Sequence, residues 1–221
     1  MKKIFTIYTS TALIEPVNSN VSTYLKDVEI INFLDDSIIK EVIANNRATD
    51  GVLSRMERYY KIAEEIGSDI IWQTCSSMGD TVDMFQPSIS IPIIRIDEQM
   101  ARNAVEQLDR IAVLATLPTT LGPTITLVKK IAKEMNKDIT IIDGLAEGAF
   151  DALQAGNPDK HDEMIVAKAV ALKDECDGYV LAQGSMARVS QQIIDKSQKP
   201  VFTSLESGFK ALAEFIENME N

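Results

Sequence analysis

The chain has 221 residues, 45% of them hydrophobic and 25% charged, with 33 acidic against 22 basic side chains and a formal net charge of -11. This is the composition of a soluble globular chain with one large or two small domains, and its acidic excess argues against nucleic acid, whose phosphates need clustered Lys and Arg. Cys75 and Cys176 are the two cysteines and no CxxC spacing occurs, which speaks against a disulfide framework and a structural zinc site.

No segment nears the roughly 18 apolar residues of a membrane span. The N-terminus resembles a signal peptide for three residues, then lacks the long apolar core and the cleavage site. It reads as a first strand, Lys3–Tyr8, and the expected location is cytoplasmic, where thiols stay reduced.

A hydroxyl-rich turn, Thr9-Ser10-Thr11, follows that strand. The second strand is expected over Glu29–Phe33, then helices over Ser37–Asn45 and Gly51–Glu65. The acidic pair Asp35-Asp36 suits the start of the first helix. Thr49 or Asp50 caps the second, and Gly67 ends it. Ile70–Gln73 is an apolar strand running into Thr74-Cys75-Ser76-Ser77. A thiol at such a strand end faces the crevice where parallel α/β sheets bind ligands. There the start of the next helix favours thiolate. The plain alternative is a buried cysteine that only packs.

Further strands are expected over Ile91–Ile94, Ile111–Ala115, Ile139–Ile142, Gly178–Leu181 and Pro200–Thr203. Helices are expected over Gln99–Gln107, Thr120–Asn136, Asp162–Asp174, Ala187–Lys196 and Ser207–Met219. Strands alternating with helices imply βαβ units and parallel sheets. The order repeats, giving two pseudo-symmetric flavodoxin-like α/β halves with a cleft between them. The first half is residues 1–97 plus 201–221, the last strand and helix returning to it, and the second is 98–200. Aligning Asp69 with Asp177 sets Gln183 opposite Cys75, and one residue of slack sets Gly184 there. Hydroxyls recur at the strand ends: Thr9, Ser10, Ser76, Ser77, Thr116, Thr119, Thr120 and Ser185. With helix N-termini they suit a carboxylate, or they simply cap helices.

Thr74-Cys75-Ser76-Ser77, the segment Arg110-Ile-Ala-Val-Leu-Ala-Thr-Leu-Pro-Thr-Thr120 and Thr9-Ser10 together resemble the aspartate/glutamate/hydantoin racemase superfamily, over nearly the whole chain. The resemblance implies a cofactor-independent isomerase, with no metal, acting through Cys75 at the α-carbon of a small amino-acid-like carboxylate. It implies substrate contacts at Thr9, Ser10, Ser76, Ser77, Thr116, Thr119, Thr120, Gln183, Gly184 and Ser185. The partner is then the small substrate, not a membrane or nucleic acid, and a homo-oligomer is compatible with this reading.

Where the family carries a second cysteine after a strand, this chain has Leu181-Ala-Gln-Gly-Ser-Met186. A two-base racemase needs a proton donor on each face of the α-carbon, and here one face lacks a thiol. A single-cysteine decarboxylase or isomerase of the same superfamily, or a binding protein without turnover, stays open. Cys176 precedes its strand and reads as packing. His161 is either the missing acid, near the start of a helix at Asp162, or a solvated loop residue. Asp97 suits a helix cap and Arg95 an ion pair. The absence of a GxGxxG or Walker loop argues against a nucleotide cofactor.

Overall fold

The computed structural model describes residues 1–220. In chain order these form β1 (Lys2–Tyr8), α1 (Ile14–Tyr24), β2 (Val28–Leu34), α2 (Asp36–Asn45), α3 (Asp50–Glu65), β3 (Ile70–Gln73), α4 (Asp80–Phe85), β4 (Ile93–Arg95) and α5 (Glu98–Gln107). The chain continues through β5 (Arg110–Ala115), α6 (Pro118–Glu134), β6 (Thr140–Leu145), α7 (Ala149–Gln154), α8 (Pro158–Ala171), β7 (Gly178–Leu181), α9 (Ser190–Ser197), β8 (Val201–Phe202) and α10 (Ser204–Glu220). Two four-stranded parallel sheets result, ordered β2-β1-β3-β4 and β6-β5-β7-β8. One compact unit is Met1–Ile96 with Glu206–Asn221, and the other is Asp97–Leu205.

The first unit shows how the sequence selects its elements. Ile70, Ile71, Trp72 and Gln73 are all buried, because helices cover both faces of a central parallel strand. Phe5, Ile7 and Ile71 pack on one face against Val42, Met56 and Tyr60 from α2 and α3. On the other face the Trp72 ring meets Phe209 of α10 edge-on, with ring centroids 4.9 Å apart. Tyr24 of α1 stacks on Phe209 at 5.1 Å. In α3 the buried residues are Val52, Met56, Tyr60 and Ala63, the three-and-four spacing of one helix face. Thr49 caps that helix, its side chain accepting from Val52 N at 3.1 Å. Gly67, at φ 72°, ends it in the left-handed region.

In the second unit Val113, Ala115 and Val180 pack on α5 and α6 through Met100, Leu127 and Ile131. Ala112, Leu114 and Tyr179 pack on α8 and α9 through Ile165, Val166 and Ile193. The strand expected to rejoin the first half lies here instead. Val201 and Phe202 pair with Tyr179 and Val180 of β7. The reason is the edge that β7 offers: Pro200 O accepts from Tyr179 N at 3.0 Å. Only α10, from Glu206 on, groups with the first unit.

The two units repeat bond for bond. Lys3 N donates to Asp69 Oδ2 at 2.7 Å, and Arg110 N donates to Asp177 Oδ2 at 2.8 Å. Ile71 N donates to Pro92 O at 2.9 Å, the counterpart of Tyr179 to Pro200. Met78 N donates to Cys75 O at 3.0 Å, and Met186 N donates to Gln183 O at 2.9 Å. This last pair removes the one-residue slack of the sequence alignment: Gln183, not Gly184, stands where Cys75 stands.

Candidate active site

Cys75 leaves the end of β3 in extended conformation and is partly exposed. Its backbone N–H donates to Gln73 Oε1 at 3.1 Å. The Gln73 amide is oriented in turn by its Nε2, which donates to Tyr60 OH at 2.9 Å. Tyr60 OH pairs with Thr81 Oγ1 at 2.7 Å, and the Thr81 hydroxyl donates to Met78 O. Burial pushes the Tyr60 hydroxyl up to about 12, so Tyr60 stays a neutral donor and the relay keeps one direction. This relay ties the thiol's backbone to the core of the unit. It was not visible in the sequence, where Gln73 read only as the end of a strand.

A single 3-10 turn, Ser76–Met78, follows Cys75, and α4 has six residues. The helix expected to begin after Cys75 is this turn and a six-residue α4, so its dipole is small. Ser76 is buried and Ser77 partly buried in this turn. Thr9 is buried after β1, while Ser10 is exposed and its hydroxyl accepts from Ala12 N at 3.3 Å as a cap.

In the second unit the Gln183 side chain caps the turn after β5. Its Oε1 accepts from Thr116 N at 2.8 Å and from Thr116 Oγ1 at 3.0 Å. Gly184 and Ser185 open the 3-10 turn Gly184–Val189. Thr119 and Thr120 lie in the first turn of α6, whose capping residue Leu117 supplies no side-chain bond. Thr119 Oγ1 is buried with no hydrogen-bond partner among the described residues. A buried hydroxyl at the start of a 17-residue helix suits a carboxylate oxygen.

His161 is neither solvated nor in a loop. It lies in the first turn of α8 with 1% exposure. Its Nδ1 is 2.7 Å from Asp162 Oδ1 and 3.2 Å from Arg188 Nη2, and Arg188 also bridges both Asp162 oxygens. Burial pushes the Asp162 carboxyl up, but hydrogen bonds from Arg188 and His161 outweigh it and hold it below the usual range. Asp97 occupies the capping position of α5 without a side-chain capping bond and is buried, which corrects its reading as a cap. Cys176 is fully buried, its thiol pushed up by burial.

A surface groove of about 420 Å³ runs between α6 and β6, lined by Lys129, Lys133 and Asp138 among others. None of the residues proposed from the sequence lines it. Among the described residues no cluster of three or more His, Cys, Asp or Glu is placed to hold a metal ion, and no helix is long and apolar enough to cross a membrane.

The fold is similar to that of an aspartate racemase from Picrophilus torridus, at 15% identity and TM-score 0.72, covering 98% of this chain and 95% of that one. A glutamate racemase from Bacillus anthracis matches at 14% identity and TM-score 0.76, covering 99% and 82%. An allantoin racemase from Klebsiella pneumoniae matches at 18% and 0.64, covering 100% and 89%. No curated protein is detectably similar in sequence. The model of the Asp/Glu/hydantoin racemase family matches residues 4–212, and with that span the chain belongs to this family of isomerase-type enzymes.

Proposed function

We propose that the protein is a cofactor-independent enzyme acting at the α-carbon of a small, amino-acid-like carboxylate, with Cys75 as its proton-transferring group. The observation that carries this reading is the pairing of a partly exposed Cys75 with Gln183 at the equivalent position. A thiolate exchanges an α-proton readily, whereas a carboxamide N–H is far too weakly acidic to act as the proton-transferring group. The chemistry is therefore one-sided. Neutral donors at Thr9, Ser10, Ser76, Ser77, Thr119, Thr120, Gly184 and Ser185 are assigned to the substrate carboxylate and the enediolate that develops from it, while both Thr116 donors already serve Gln183 Oε1. The orphaned Thr119 hydroxyl supports that assignment best.

His161 is retained as the alternative second acid, because Asp162 and Arg188 fix its ring. One-sidedness equally suits a decarboxylase, in which a single donor protonates one face. The test is proton NMR in heavy water across amino, hydroxy and malonic acids. Deuterium is expected at the α-position faster than inversion of configuration. Inversion as fast as exchange would overturn the one-sided mechanism and transfer the second role to His161. Binding without exchange for every acid would sink the enzymatic reading.

A further inference from the structure

Arg95 ends β4 beside Gln73, its register partner on β3. Its side chain is 3% exposed, a rare state for a guanidinium. It lies on the backbone of the turn that Cys75 begins. A Cβ built on Gly79 would meet Arg95 Nη2 at 2.1 Å and Cζ at 2.3 Å. Gly79 has ordinary helical angles, φ -57° and ψ -38°, so glycine is needed there for space and not for conformation.

The second unit supplies the control. Its equivalent backbone bonds match Met78 with Met186 and Pro92 with Pro200. They therefore match Gly79 with Ala187 and Arg95 with Thr203. The unit with a cysteine has a buried cation and a glycine that admits it, and the unit with a glutamine has neither.

We propose that Arg95 is the cation that holds Cys75 as a thiolate, and that Gly79 is the opening that lets it reach the turn. This rests on Cys75 being the reacting thiol but on no particular substrate. Arg95 acts through Cys75 as a positioning residue. It fills the role that a longer helix after Cys75 would have played. The charged and titratable groups on the elements around the turn include Arg95 from β4, the buried Asp97 just beyond it, Tyr60 from α3, and Asp80 and Asp83 of α4. Tyr60 is neutral, and its hydroxyl feels Cys75 and Arg95 with opposite sign. Asp80 Oδ1 stands 3.8 Å from Arg95 Nη1 on a side chain 60% exposed, so water screens that pair.

The experiment is the pH dependence of iodoacetamide alkylation at Cys75, resolved from Cys176 by peptide mass spectrometry. The midpoint is read rather than the rate, because a weaker acid makes a better nucleophile per thiolate. Arg95→Met is expected to raise the midpoint by about one unit or more, the size of an opposite charge nearby. Arg95→Lys should keep most of the wild-type value. Gly79→Ala should raise the midpoint with the charge still present, since the new Cβ displaces the guanidinium.

An unchanged midpoint in Arg95→Met and Gly79→Ala, with circular dichroism unchanged, overturns the proposal. Should Arg95→Met fail to fold, Gly79→Ala decides alone by the same criterion. A merely structural arginine would lower stability without moving the midpoint. Isotope exchange into substrate is read separately. An Arg95-dependent midpoint without exchange sinks the proposed function only, and exchange with an Arg95-independent midpoint sinks this inference only.

Discussion

The turn after β3 and the turn after β7 share a backbone and differ in what they are prepared to do. In the first, the Cys75 backbone is held by a frame of Gln73, Tyr60 and Thr81. In the second, Gln183 turns inward and its oxygen caps Thr116. One side chain is held ready by its surroundings, and the other does the holding. A reactive group can stay adaptable only where neighbours close the turn for it.

The comparison breaks first at Cys75. Cys75→Ser should lower α-proton exchange by roughly 10²–10⁴-fold, the usual contribution of a positioned proton-transfer group, with circular dichroism unchanged. Retention of more than a tenth of the exchange would place the chemistry elsewhere.

Labelling separates the two cysteines next. Cys176 is 0% exposed and reacts only when its unit opens. Its iodoacetamide rate in the native protein is expected to be about 100-fold below that of Cys75. Equal rates would show that Cys75 is not accessible.

Gln183→Cys sharpens the symmetry. It should raise inversion relative to exchange by about tenfold or more, by supplying a second proton donor. It should also cost about 1 kcal/mol, because Thr116 N–H loses its acceptor. A stable variant with no gain in inversion would remove Gln183 from the reacting face.

The smallest effect concerns the aspartate clamps. A hydrogen bond from Arg110 holds the Asp177 carboxyl below the usual range. A depressed carboxyl stabilises the fold above its unfolded value, near 3.9, and that stability is lost as pH falls through the lower folded value. Asp177→Asn should therefore cost up to about 1 kcal/mol near pH 7, and the difference should shrink in melts as pH falls below about 3.9. A pH-independent difference would mean that geometry, not charge, holds the clamp.

Several readings were legible in local chemistry. Thr49 and Gly67 bracket α3 because capping and left-handed termination depend on single residues. Ile70–Gln73 is a strand because a continuous apolar run fits a sheet covered on both faces. The pairing of Asp69 with Asp177 revealed the repeat because each aspartate accepts from the strand beside it.

What escaped the sequence depends on partners far along the chain. β8 is too short for its pattern to name its sheet; only the edge of β7 did. His161 reads as a loop residue after Gly156 and Pro158, yet it is buried by packing that no local pattern encodes. Cys75 was marked by its own chemistry, but the buried Arg95 lies 20 positions away and meets the turn only because β4 pairs with β3. Sequence by itself determined the alternating elements, the repeat and the thiol, all set by periods and single-residue preferences. Tertiary structure decided which charges surround that thiol, since electrostatic fields follow distance in space and not order along the chain.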